Sequence, residues 1–242
     1  LSEKHGFDFN AIPVDHPGQE QKSQWLQIRR EKPDYVLMWG WGVMNSVAIN
    51  EAANIRFPME NFIGVWWSGS ENDVIPAGLR ADGYKSLALN APGMEYGIFD
   101  ELKKHVFDKG LTAGAGDQIG SVIYNRALYI GFLTHMAIAK AQEVTGVADI
   151  SQADMIKGME ALDITDELMA ANGLSGFAPS FSVSCEDHGG SGLGAVQQWD
   201  AKAGTWSLIT DFIEPDMGVI APLIKEDSEA FAKENNIAMR CN

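Results

Sequence analysis

Positive charge is scarce in this sequence. Eighteen Lys and Arg face 33 Asp and Glu over 242 residues, a formal charge of −15, and a surface of that sign repels DNA, RNA and anionic lipid. Nucleic acid is therefore not expected as a partner. Long apolar runs are also lacking. The longest, Tyr35 to Trp41 and Ala127 to Ala139, are short or interrupted by Thr134 and His135, so no membrane insertion is expected. Cysteine occurs twice, at Cys185 and Cys241, without metal-ligand spacing. The two are either unpaired buried thiols or, in an oxidising compartment, a disulfide that ties down the C-terminal tail. None of the five histidines forms an HxxxH or HxH pair, and GxSxG is absent. The stretch GGSGLG has no apolar strand leading into it and no helix after it, which argues against a phosphate cradle. Only the turn from Cys185 to His188 could offer a nucleophile and a base. A Cys and a His three residues apart do not make a papain-like pair, and the glycines around them read as a linker turn. No catalytic residue, metal or cofactor is expected, and the chain does not read as an enzyme.

What is present is an ordinary globular composition, 45% hydrophobic and 21% charged, long enough to bury a real core. Leu1 to His5 before Gly6 reads as the last turn of a helix whose beginning is absent. A short strand is expected at Ala11 to Asp15, then a helix in which Trp25 and Ile28 recur until Pro33 stops the pattern. YVLMWGWG reads as a strand, Val43 to Arg56 as a helix, NFIGVWWS as a strand, Asn72 to Gly78 as a short helix and YKSLALNAPG as a strand. Such alternation of apolar strands with helices predicts an α/β fold with a parallel sheet covered on both faces. Further on, MEYGIFDELKKHVFDKG reads as an amphipathic helix and LTAGAGDQ as a linker. The segment from Ile119 to Gly146 reads as a helix buried on more than one side, and Ser151 with Asp154 opens another. GAVQQWD and TWSLITDF form a hairpin.

Aromatic residues are concentrated. The chain has seven tryptophans, and Trp39, Trp41, Trp66 and Trp67 fall where the first two strands end, which in an open parallel sheet is where ligands bind. Any one of them could fill the junction between sheet and helices. Clustered beside Gly40, Gly42, Gly64 and Gly69, the four read as a ligand platform, since indole faces stack on flat apolar guests or hold cations. Ser68 and the backbone entering the next helix add a setting able to hold a carboxylate.

The stretch KPDYVLMWGWGVMNSVAINEAANIRFPMENFIGVWWSG, with its helix bearing Ala48, Glu51 and Ala52, its Phe57-Pro58 elbow and its FIG strand, resembles the periplasmic substrate-binding proteins of ABC importers, in the branch of the branched-chain amino-acid receptors. YNRALYIGFLTHMAIAKA and DHGGSGLGAVQQWDAKAGTW resemble that family's second half. The resemblance implies a type I two-lobe fold that closes on a small molecule and delivers it to an ABC transporter membrane permease from a periplasmic or otherwise extracytoplasmic location. It implies that residues 1–115 are the second ligand-binding lobe without its first strand, that 116–192 return to the first lobe, and that 193–242 are a crossover hairpin and tail. The chain then lacks the family's N-terminal part. The amino-acid receptors carry an acid for the ligand's ammonium group where this chain has Trp66, and a tyrosine where it has Trp41, Gly42 and Asn45. A buried ammonium without an anion costs several kcal/mol. The expected ligand is therefore an aromatic or other organic acid, held by Trp39, Trp41, Gly42, Asn45, Trp66, Trp67 and Ser68. The competing expectations are a branched-chain amino acid or amide as ligand, and a cytoplasmic ligand sensor on the same fold.

Overall fold

Two apolar clusters organise the computed structural model, which describes residues 1–114, 116–238 and 241. The helices are α1 (Ser2–His5), α2 (Lys22–Glu31), α3 (Val43–Asn54), α4 (Glu71–Val74), α5 (Gly97–Leu102), α6 (Val122–Thr145), α7 (Gln152–Glu160), α8 (Asp166–Ala171) and α9 (Met217–Glu234). The strands are β1 (Val36–Met38), β2 (Phe62–Gly64), β3 (Lys85–Ala88), β4 (Asp163–Ile164), β5 (Phe181–Ser182), β6 (Ala195–Asp200) and β7 (Thr205–Leu208).

The main sheet has the order β1-β2-β3-β6-β7. β1, β2 and β3 run parallel, with Val36 opposite Phe62 and Ile63 opposite Lys85, while the β6–β7 hairpin returns antiparallel along β3. Helices α2 and α3 cover one face, and Trp25, Ile28, Ile49, Phe62, Tyr84 and Trp206 belong to the core beneath them. Burial of such side chains is the main term holding sheet and helices together, roughly 1.5–3 kcal/mol for each one fully enclosed.

The second cluster gathers Phe132, Ala137, Leu162, Ile164, Met169 and Phe177 from α6, α8 and the small β4–β5 sheet. The start of α7 matches expectation: Ser151 Oγ accepts from the Asp154 N–H and the Asp154 carboxylate reaches back to the Ser151 N–H, a reciprocal cap.

Several expectations are corrected. Ala11 to Asp15 forms no strand, because a strand is defined by a paired neighbour and none of the described residues runs beside it. Among the described residues, nothing covers the second face of the parallel sheet at β1. Leu37 is 71% exposed, on the face opposite Val36 and Met38, which pack on the core. Helix α6, expected to be buried on more than one side, gives Val122 to the first cluster and Phe132 and Ala137 to the second, while Ile123, Ile130 and Ile138 point outward. Helix α9 was not anticipated. It buries no side chain, and its N-terminal end is held where Asp216 accepts from Lys4 Nζ at 2.7 and 2.8 Å and meets His5 at 2.7 Å. Those partners hold the Asp216 carboxyl at about 2.

Because β1 is an edge strand with Leu37 open beside it, the isolated 242-residue chain is expected to self-associate. Sedimentation velocity over a concentration series checks this, and a monodisperse monomer at high concentration would count against it.

Candidate functional site

Strands β1 and β2 run parallel and finish side by side, so their following loops emerge at one end of the sheet. After β1 the chain turns through Trp39 to Gly42 into α3. Gly42 has φ 58° and ψ −138°, a conformation open essentially to glycine alone, so this residue makes the turn rather than touching a guest with a side chain. After β2 comes one 3-10 turn, Trp66–Ser68. Gly69 follows, and a Cβ there would run into the Ser86 hydroxyl and stand 2.6 Å from Gln197 Nε2. The absence of a side chain lets this loop settle onto β3 and β6.

The structure brings the four tryptophans together. Trp39 and Trp66 meet edge to face at 5.9 Å, Trp66 and Trp67 lie 5.2 Å apart, and Trp67 meets Trp41 at 6.0 Å. His16 adds a ring 6.4 Å from Trp41. The remaining three tryptophans, Trp25, Trp199 and Trp206, are in the core at 3–5% exposure, whereas Trp39 is 69% and Trp41 and Trp67 each 47% exposed. Trp66, between them, is partly buried, so the row presents three open indoles braced on a fourth rather than core filling. Contacts of this geometry are each worth about 0.5–1.5 kcal/mol beyond burial, which holds the rings in place before anything binds.

Asn45 and Ser68 lie beneath the row, fully buried. Asn45 Nδ2 donates to the Trp67 carbonyl at 2.8 Å and to Asp73 Oδ1 at 3.0 Å, while Ser68 Oγ donates to the Gly40 carbonyl at 2.8 Å. Tyr84 Oη donates to the Ser68 carbonyl at 2.9 Å. Both loops are therefore stitched to each other and to β3, and these side chains support the indoles instead of lining the open surface.

The two acids of the loop are engaged. Asp73 Oδ2 accepts from the Ser70 N–H and hydroxyl, each at 2.8 Å. Glu71 accepts from the Val122 N–H at 3.2 and 3.3 Å, joining the loop to the start of α6. Next on that helix, Asn125 donates to the Ala91 and Gly93 carbonyls, and Arg126 Nη2 donates to the Trp66 carbonyl at 2.6 Å. Sequence reasoning did not reach Arg126, His16 or Tyr84. For Arg126 a signal existed, since no other Lys, Arg, Asp or Glu lies between Asp117 and Lys140.

Burial raises the Glu71 pKa above the ordinary carboxylate value; the charge of Asp73 adds to this, and backbone hydrogen bonds at Glu71 and Val122 oppose it. The folded protein thus binds this proton more tightly than the unfolded chain. The resulting stability is present at low pH and is lost as pH rises through the raised pKa. Glu71→Gln keeps an acceptor for Val122 and removes the titration. Its stability advantage over the parent is expected to grow as urea midpoints are followed from about pH 4 to 7, and two parallel curves would refute the assignment.

The Cys185 to His188 turn has no free thiol. Cys185 is joined to Cys241 with Cα atoms 5.6 Å apart, and His188 Nε2 stands 3.3 Å from Glu160. No helix among the described residues is long and apolar enough to cross a membrane.

A family model described as periplasmic binding protein matches residues 2–205. A solved structure described as an ABC transporter permease from the Pseudomonas fluorescens group is 38% identical with a TM-score of 0.92, over 100% of this chain and 58% of that one. A branched-chain amino-acid ABC transporter protein from Thermus thermophilus with bound valine is 14% identical with a TM-score of 0.66, over 89% of this chain and 55% of that one. A solute-binding protein from R. palustris in complex with benzoate is 17% identical with a TM-score of 0.54, over 85% of this chain and 51% of that one. At the identities of the last two, the likeness is one of fold. No curated protein matches the chain. The chain spans between about half and three fifths of the length of these three structures. With the family model matched over residues 2–205 and 38% identity over the full chain, the protein belongs to the periplasmic binding proteins, in the α/β fold of the branched-chain amino-acid receptor type.

Proposed function

We propose that this chain forms most of one lobe and part of the other in an extracytoplasmic receptor. The receptor captures a small organic acid, an aromatic one first of all, and passes it to an ABC permease. The observation that carries the ligand class is the row Trp39–Trp66–Trp67–Trp41, in which Trp39, Trp41 and Trp67 are exposed and Trp66 is partly buried between them, beside two carboxylates already held by Asn45, Ser70 and Val122. Indole faces favour a flat apolar body. An amino acid's ammonium would find both loop acids engaged, and leaving it without an anion is costly. Valine and benzoate are each bound by a protein of this fold, so the fold is compatible with either class and the side chains at the strand ends carry the choice.

The first apolar cluster draws mainly on residues 25–84 and the returning hairpin and the second on residues 132–178, which supports two lobes; we place them at 1–115 and 116–192, although Val122 joins the first cluster and Tyr96 and Ile98 pack on the second. Bonded Cys185 and Cys241 fit an oxidising compartment outside the cytoplasm.

A thermal-shift screen of the full-length protein against aromatic carboxylates, aliphatic amino acids and amides tests the reading, since a ligand held at about 100 times its Kd adds about 2.7 kcal/mol of stability. Aromatic acids are expected to raise Tm and leucine or valine to leave it unchanged. A rise with leucine or valine and none with the acids overturns the assignment.

A further inference from the structure

From Val122 to Ala139, helix α6 carries one Arg and no Lys, Asp or Glu. Arg126 is half-buried, and its guanidinium is anchored through Nη2 on the Trp66 carbonyl at 2.6 Å, at the residue whose ring lies between Trp39 and Trp67. Among the described residues this is its hydrogen bond to the protein, and it joins no ion pair there, the pairs being those of Lys4, His5, Lys103, Lys104, His105, Lys140, Lys157, His188 and Lys225. The acids nearest in the fold are occupied. Glu71 is held on the Val122 N–H one helical turn earlier, and Asp73 is held by Ser70 and Asn45. Burial destabilises the charged guanidinium and the more distant charge of Asp73 only partly offsets this. A cation taken partly out of water without a counter-ion is costly, and a guanidinium held by one nitrogen still presents planar N–H donors that match a carboxylate.

We propose that Arg126 is the anion grip of the ligand site, taking the carboxylate of an organic acid whose apolar part lies on the indoles of Trp39 and Trp66. This rests on the reading of the indole row as the ligand platform, and it gives that platform its missing charge. Because Arg126 comes from α6, which runs on into the second apolar cluster through Phe132 and Ala137, the guest would contact chain from both halves of the fold.

The test is calorimetric titration of the full-length protein and its Arg126→Gln and Arg126→Lys variants with benzoate, benzamide and hexanoate. The parent is expected to bind benzoate at least about 10-fold more tightly than benzamide, in keeping with a charge-assisted hydrogen bond. Arg126→Gln is expected to erase that preference while leaving benzamide within about 2-fold, since the amide makes no ion pair. Arg126→Lys is expected to retain part of it, because the charge remains and the fork is lost. Thermal unfolding of each variant reports on folding. If the glutamine variant does not fold, the lysine variant decides: loss confined to benzoate supports the grip, and equal losses for acid and amide overturn it. A parent that binds benzoate and benzamide equally also overturns it. Arg126-dependent binding of hexanoate without benzoate keeps the grip and removes the aromatic preference. Binding of neither acid at millimolar concentration overturns the grip.

Discussion

Replacing Trp66 by alanine is expected to weaken ligand binding in the full-length protein by about 1.5 kcal/mol or more, at least roughly a 10-fold rise in Kd. Its ring contacts both Trp39 at 5.9 Å and Trp67 at 5.2 Å, so its removal takes away a face for the guest and also the contact that braces the rings on either side. The backbone carbonyl that meets Arg126 survives the substitution, and Trp66 is outside the main apolar cluster, so the fold should persist. Trp41 is at one end of the row with one indole neighbour, and Trp41→Ala should cost less. Titration with whichever acid raises Tm is the measurement. An unchanged affinity for Trp66→Ala would return that ring to a packing role.

Loss of the Cys185–Cys241 disulfide should produce the largest change in stability. The two residues are 56 apart in sequence, and loop-closure entropy for that length gives about 4 kcal/mol as an upper figure, with 2–4 kcal/mol usual. The intervening chain contains the β6–β7 hairpin, which is well held in the sheet, and α9, which buries no side chain. Helix α9 thus depends on its two ends: Asp216 with Lys4 and His5 at one, and the disulfide beyond the other. Urea unfolding of the Cys185→Ser/Cys241→Ser double variant should show the loss in stability, and proteolysis should cut first within α9. Coincident unfolding curves would mean that the bond constrains little.

Much of the sheet was legible because its strands announce themselves locally: VLM, FIG and KSLA are short runs between turn residues, and the hairpin has Ala201 to Gly204 as its turn. Ala11 to Asp15 misled for a physical reason, since its composition suits a strand but pairing depends on what lies alongside. Helix α9 escaped notice because Pro222 interrupts its apolar half and its charged half buries no side chain. The four indoles were legible from their clustering alone. Asn45 and Ser68 could be placed at the strand ends from sequence, but whether a side chain points toward solvent or under the loop is settled by its hydrogen-bond partners, here Trp67, Asp73 and Gly40. Arg126 is 60 residues from the carbonyl it meets, and no local pattern encodes a contact of that separation.

Four indoles linked in a row at spacings of 5.2 to 6.0 Å are close enough to share electronic excitation. Light absorbed by any one of them can migrate along the row before it is emitted, so a guest that quenches a single ring dims the whole group. Capture would thus register as a change in ultraviolet emission without an attached dye, against the steady background of the three tryptophans sealed in the interior.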